Sequence, residues 1–390
     1  MAMEPTDTAP ALQAPPLGLY LHTPWCVRKC PYCDFNSHSA PAELPEQAYL
    51  QAMLEDLRTD LSWLPQRPVR TVFIGGGTPS LMSPAFYRQL FAGLGSLLDL
   101  SQLQEVTLEA NPGTFEQARF AAYRELGINR LSLGIQSFRD SQLQALGRIH
   151  DSRHAHDAIG AAKRAGFERI NLDLMHGLPG QTPEQAVADI EAALSHDTGH
   201  VSWYQLTLEP NTAFYSTPPV LPEEDQLADI LSAGRETLLG AGLEDYEISA
   251  WSRPGEASQH NLNYWQFGDY LALGAGAHGK ITLPDGEIRR YWKTRQPDAY
   301  LGRIGSRTSG RQSIPREELP LEFMMNALRL QQGVPAALFA QRTGLPLSTI
   351  LGILQTLVQD GLLQPDIQRR LTPTAMGHRF LNDLLERFMS

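Results

Sequence analysis

The sequence predicts an α/β fold, a parallel sheet of six strand–helix units followed by a small α-rich domain. Three observations carry this. Apolar runs of strand length recur at Leu17–His22, Val69–Ile74, Glu105–Ala110, Arg130–Ile135, Arg169–Leu174 and Val201–Leu206. Helix-like segments lie between them, at Glu46–Trp63, Pro84–Leu97, Phe115–Leu126, Ser152–Ala165 and Pro183–Leu194. From about Gln312 the composition changes to short amphipathic helices. Strand–helix alternation implies right-handed crossovers within a parallel sheet. Six units fall short of a closed eight-stranded barrel, so periodicity allows either a partial (β/α)6 barrel or an open doubly wound sheet. In both, ligands gather at the carboxyl ends of the strands.

Bulk properties narrow the function classes. The 390 residues suffice for one large α/β domain and a smaller one. With 32 Lys and Arg against 43 Asp and Glu, the net charge is −11. That argues against the electrostatic footprint of a nucleic-acid binder and leaves no polybasic membrane anchor. No apolar run approaches the roughly 18 residues of a membrane-spanning helix. Met1 to Pro16 is rich in Ala, Pro and Thr and lacks basic residues, so it reads as a disordered tail, not a signal peptide. All three cysteines fall in one motif with none left to pair, which fits a reducing cytoplasm.

That motif directly follows the first strand, in Tyr20-Leu-His-Thr-Pro-Trp-Cys26-Val-Arg-Lys-Cys30-Pro-Tyr-Cys33-Asp-Phe-Asn-Ser. Thiolates are the soft ligands of zinc and of iron–sulfur clusters. Three on one tight loop can hold three irons of a [4Fe–4S] cube and leave the fourth open. Alternatives are a Cys3His zinc site completed by His22 or His38, or three buried thiols. Zinc ligands usually come as two separated clips, and no second clip exists here.

Polar motif residues recur at the other strand ends. Strand two runs into Gly75-Gly-Gly-Thr-Pro79, where glycines allow close backbone approach and expected exposed N–H donors. Strand three ends at Glu109-Ala-Asn-Pro112 and strand four at Gln136-Ser-Phe138, with Arg148 following in Leu-Gly-Arg-Ile-His. Strand five includes Asp173. Any one of these could be a salt bridge or a helix cap; recurrence at consecutive strand ends points to one shared ligand site.

Beyond Leu208-Glu-Pro-Asn211 the pattern loosens at Pro218, Pro219 and Pro222. A helix is expected over Glu223–Ala241, stopped by Gly242, then a short strand over Glu244–Ala250. His260-Asn-Leu-Asn-Tyr264-Trp265 and Leu273-Gly-Ala-Gly-Ala-His278-Gly279 come next. His260 can offer an imidazole, and Tyr264 and Trp265 aromatic walls, although a helix cap and core packing would use the same residues. Helices are expected over Leu319–Leu330, Pro346–Gln359 and Pro373–Phe388, with a winged hairpin from Gly361-Leu-Leu-Gln and Arg370-Leu-Thr-Pro. The region near Gln355, Gln359 and Asp360 has no basic recognition face, so a lid or docking role is expected over DNA binding. The expected domains are a tail over 1–16, the barrel over 17–215, an extension over 216–311 and a winged-helix-like domain over 312–390.

The cysteine spacing resembles the radical S-adenosylmethionine superfamily, in which the open iron is chelated by the amino and carboxylate groups of S-adenosylmethionine. Tyr-x-His-x-Pro-aromatic-Cys before the cysteines and Cys-Asp-Phe-Asn-Ser after them resemble the coproporphyrinogen III oxidase branch. The resemblance favours the partial radical SAM barrel and implies S-adenosylmethionine contacts from Tyr20, Tyr32, Gly76, Gly77, Thr78, Glu109, Gln136, Arg148 and Asp173. It also implies a [4Fe–4S] cluster on Cys26, Cys30 and Cys33, with the Gly-rich loop holding the methionine amino group. The His-Asn-x-x-Tyr-Trp sequence resembles a motif associated with heme binding in the heme chaperones of this branch, implicating His260, Tyr264 and Trp265. His22, His176 and His278 are alternative iron ligands, and the C-terminal segment resembles that branch's terminal domain.

Two members of the branch compete. The oxidase has a further cysteine two residues after the third, where Phe35 stands here, and a longer N-terminal extension. Both departures favour the heme-chaperone family, which binds heme and passes it to acceptor proteins. Another radical enzyme, acting on nucleic acid, is disfavoured by the acidic charge. No catalytic residue is assigned for decarboxylation. A flavodoxin or ferredoxin is the expected electron donor where S-adenosylmethionine is cleaved.

Overall fold

The computed structural model describes residues 12–389. Twelve strands form one mixed sheet. Its parallel core runs through β1 (Leu17–Thr23), β2 (Val69–Gly76), β3 (Glu105–Ala110), β4 (Arg130–Gln136), β5 (Arg169–His176) and β6 (Gly199–Gln205). These are nearly continuous apolar runs because their outer faces are covered by crossover helices. The helices start where local chemistry directs. Ser83 caps Pro84–Leu97 by accepting from Phe86 N, and Thr182 with Gln185 forms a reciprocal capping box on Pro183–Leu194.

The sheet continues past both ends of the expected barrel. A hairpin of β7 (Glu244–Glu247) and β8 (Ala250–Ser252) adds antiparallel to β6, where one strand was expected. At the other edge β9 (Asp269–Leu273) pairs parallel to β1, with Leu17 opposite Asp269. Antiparallel strands β10 (His278–Thr282), β11 (Ile288–Lys293) and β12 (Thr308–Ser313) follow it. These strands are short and carry charge, so they lack the apolar signature of the six crossover strands.

Two expected helices are broken. Phe115–Leu126 becomes Thr114–Gln117 and Phe120–Glu125, with Arg119 at the junction donating to the Leu81 carbonyl. The terminal helix is interrupted at Phe380. Of the expected tail, residues 1–11 lie outside the described residues. The next five are tied down: Gln13 N donates to Gln341 O at 2.9 Å, and Pro16 O accepts from Asp269 N at 3.0 Å.

A second core in the C-terminal region centres on Phe323, Phe339, Leu354 and Leu357 and reaches back to Phe267 and Ile288. The helix Gln259–Trp265 bridges the two cores, since His260 faces the barrel while Leu262 and Trp265 pack on the second. Arg329 stacks 4.2 Å over the Trp265 ring. Val334 pairs with Leu371, and Leu363 bridges Pro373, giving a small wing. Among the described residues no single helix is long and apolar enough to cross a membrane.

Candidate functional site

The carboxyl ends of the strands open into a cavity of about 380 Å³. The cysteine loop leaves β1 and closes on itself, because Trp25–Cys26 pairs in parallel with His38–Ser39. Cys26, Cys30 and Cys33 are unpaired and all line the cavity. Among the described residues no three His, Cys, Asp or Glu side chains converge as a single ion requires.

The end of β2 closes the next side. Its glycines are required by crowding: a Cβ on Gly77 would sit 2.6 Å from Trp25 O, and Gly76 has φ +118°. The expected exposed N–H donors are not found. Gly76 N donates to Glu109 Oε2, Gly77 N to Thr23 O and Thr78 N to Trp25 O. The loop is zipped to the cysteine segment through its donors, and Gly75 O, Thr78 O and Pro79 O are engaged as well, by Thr23 Oγ1, Leu81 N and Met82 N.

Glu109 and Asp173 face the cavity from β3 and β5. Asp173 accepts from Ser132 Oγ at 2.8 Å and from Asn171 Nδ2 at 2.7 Å. Burial nevertheless pushes its carboxyl up to about 6. Burial, reinforced by the Asp173 charge, pushes Glu109 up to about 8 against the Gly76 N–H that favours its ionised form. Arg148 reaches in with Nη2 on Asn111 Oδ1 (2.6 Å) and Gly134 O (2.9 Å), and Nη1 lies 3.5 Å from Cys30 Sγ. Its Nε is a buried donor with no partner among the described residues. Gln136, a non-glycine at φ +69°, accepts from the Tyr204 hydroxyl at 2.6 Å.

A second cavity, about 790 Å³, meets the first at Asp34, Phe35, Gly76 and Glu109. Tyr264 and Trp265 line it beside Trp292, His278 and Arg295. Tyr32, Gly76, Gly77, Thr78, Glu109, Gln136, Arg148 and Asp173 are thus gathered in the first cavity. Tyr20 lies instead on the second, its hydroxyl 2.9 Å from His22 Nδ1.

His260 departs from its expected role as an iron ligand. It is 0% exposed, with Nδ1 2.8 Å from Thr71 Oγ1 and Nε2 2.8 Å from the Tyr264 hydroxyl. Both nitrogens are occupied, so neither can reach iron in this conformation. Burial lowers the ring to about 3 and keeps it neutral.

Sequence reasoning missed Asn111, which bridges Arg148 to Thr78 Oγ1 (2.9 Å), and the supports Ser132, Asn171 and Tyr204. The signal was present in part. Asn171 and Asp173 share one face of β5 at even spacing, whereas Gln136 reaches the cavity past a register shift in β4 that spacing does not reveal. Polar residues repeating on one face of an apolar strand mark the side turned to a cavity.

Comparison with known proteins agrees with this architecture. A radical SAM superfamily model matches residues 20–193, and a HemN C-terminal domain model matches 314–377. The chain is 47% identical to the heme chaperone HemW of Haemophilus influenzae, over 96% of this chain and 98% of that protein. It is 46% identical to the heme chaperone HemW of Escherichia coli, over 97% and 100%. The solved coproporphyrinogen III oxidase of Escherichia coli shares the fold, with TM-score 0.80 and 22% identity over 96% of this chain and 90% of that one. At the level of sequence the chain therefore belongs to the HemW heme chaperone family, within the radical SAM superfamily.

Proposed function

We propose that this chain is a heme chaperone that holds heme in the second cavity and passes it to acceptor proteins. The observation that carries this is a roomy, aromatic-lined cavity sharing a wall with the cysteine-lined one. Its volume is in the range of cofactor sites. Tyr264, Trp265, Trp292 and Phe35 offer flat apolar faces, as a porphyrin requires. Phe35 is 56% exposed and stands where the related oxidase carries an additional cysteine.

In the same reading Cys26, Cys30 and Cys33 hold a [4Fe–4S] cluster, and the first cavity takes S-adenosylmethionine. The cluster, when bound, supplies an electron and an open iron. The chain's own residues do the rest. Gly76 and Gly77 of the Gly-rich loop offer carbonyls to an α-ammonium, Glu109 and Asp173 accept from hydroxyl or ammonium donors, and Arg148 Nε, without a partner among the described residues, suits a ligand carboxylate. Unpaired thiols and an oxygen-sensitive cluster fit the cytoplasm. Where S-adenosylmethionine is cleaved, a flavodoxin- or ferredoxin-type donor supplies the electron.

Anaerobic reconstitution, followed by parallel assays with heme and coproporphyrinogen III, tests this function. About four irons per chain are expected, lost when all three cysteines are replaced by Ser. Heme should be retained stoichiometrically without decarboxylation. Conversion of coproporphyrinogen III to protoporphyrinogen IX would overturn the chaperone reading.

A further inference from the structure

We propose that His278 is the axial ligand this chain offers to heme iron, with Arg295 binding a heme propionate beside it. The assignment rests on the heme reading above and deepens it. An axial imidazole needs a free lone pair and an open path to the metal. His22 fails because it is 4% exposed and both nitrogens are engaged, by Tyr20 and by Asn36 O. His176 is buried against Trp203, away from both cavities. His260 is locked between Thr71 and Tyr264.

His278 differs from all three. It is exposed, lines the second cavity, and its ring makes no hydrogen bond to any described residue. Its ring stacks on Trp292, directly across the β10–β11 ladder, at 6.3 Å and 24°. The backbone beneath it is closely packed: a Cβ on Gly276 would meet Asn36 Nδ2 at 2.2 Å. Partial burial, with the Arg290 and Arg295 charges, holds the imidazole below its ordinary value and therefore neutral.

Arg295 lines the same cavity and uses only Nε, on Asn36 Oδ1 at 3.2 Å. Its terminal nitrogens make no hydrogen bond to the described residues. A planar fork with two free donors matches a carboxylate. Asn36 donates in turn to Ala275 O and Arg295 O, so one amide holds both the histidine loop and the arginine beside the cysteine loop. A planar tetrapyrrole with one axial site and two carboxylates fits this set: one imidazole, aromatic faces and one guanidinium.

The test is heme titration of the reconstituted protein, read as difference spectra and by electron paramagnetic resonance. His278→Ala should lose the wild-type ligand signature and bind heme roughly tenfold or more weakly, with added imidazole restoring the spectrum. Its melting temperature should stay unchanged, excluding misfolding. Arg295→Ala should weaken heme binding yet leave binding of the propionate dimethyl ester unaltered. Wild-type protein that retains no heme defeats the chaperone reading itself. Wild-type protein that binds heme while His278→Ala gives an identical spectrum and affinity defeats the ligand assignment alone. Equal losses of heme and ester in Arg295→Ala would remove its propionate role.

Discussion

His260 Nε2 and the Tyr264 hydroxyl lie 2.8 Å apart, one helical turn from each other, with the imidazole fully buried and the Tyr264 ring half-buried at the second cavity. That bond changes the meaning of the His-Asn-x-x-Tyr-Trp motif. With Thr71 on the other nitrogen and Phe73 stacked at 5.3 Å, His260 fastens the Gln259–Trp265 helix to β2. Gly18 on β1 passes so close that a Cβ there would meet the ring at 3.1 Å. The histidine is a strut, and what it presents to the second cavity is the pair Tyr264 and Trp265.

Replacing His260 by Ala should therefore cost folding stability. Loss of a buried ring and of two hydrogen bonds is expected to destabilise by about 2–4 kcal/mol. Denaturant unfolding measures this. At a temperature where the variant is folded, its heme spectrum should match that of wild type.

Glu109 should release a proton when S-adenosylmethionine binds. Its carboxyl, raised to about 8, is mostly neutral in the ligand-free protein at pH 7, and a cationic ligand favours the carboxylate. Calorimetry in two buffers of different ionisation enthalpy should detect the proton, and Glu109→Gln should abolish it. Affinity should rise between pH 6 and 8. A raised carboxyl favours the folded state below the ordinary value, and this advantage is lost as pH rises through about 8. Ligand-free Glu109→Gln protein should accordingly melt above wild type at alkaline pH.

Asp173→Ala should weaken S-adenosylmethionine binding by about 1.5–3 kcal/mol if the carboxylate accepts a charge-assisted bond. Asn171→Ala should act in the same direction by a smaller amount, since Asn171 only orients Asp173. Unchanged affinity in variants at both Glu109 and Asp173 would place the ligand elsewhere.

Much of the barrel was legible because its signals are local. The bounds of Glu105–Ala110, Pro84–Leu97 and Pro183–Leu194 follow from apolar runs and from Ser or Thr caps before Pro, each readable within a few residues. The cysteine spacing is local too, since a cluster loop is a property of one short segment. Strands β9 to β12 were not legible as part of the sheet. Only pairing with β1, some 250 positions away, makes a strand of Asp269–Leu273.

The sequence by itself determined which chemistry is present: three thiols, two carboxylates at strand ends, several imidazoles and aromatic side chains. It could not decide which imidazole is free. His260 and His278 are chemically identical and lie 18 positions apart; one ring is enclosed by Thr71, Phe73 and Tyr264, while the other opens on a cavity. The tertiary structure made that choice, because burial and occupied lone pairs arise from contacts between segments far apart in the chain. The same holds for the second cavity, whose wall is assembled from Tyr20, Phe35, Tyr264, Trp292 and Asn326 and exists only once the C-terminal region packs against the Gln259–Trp265 helix.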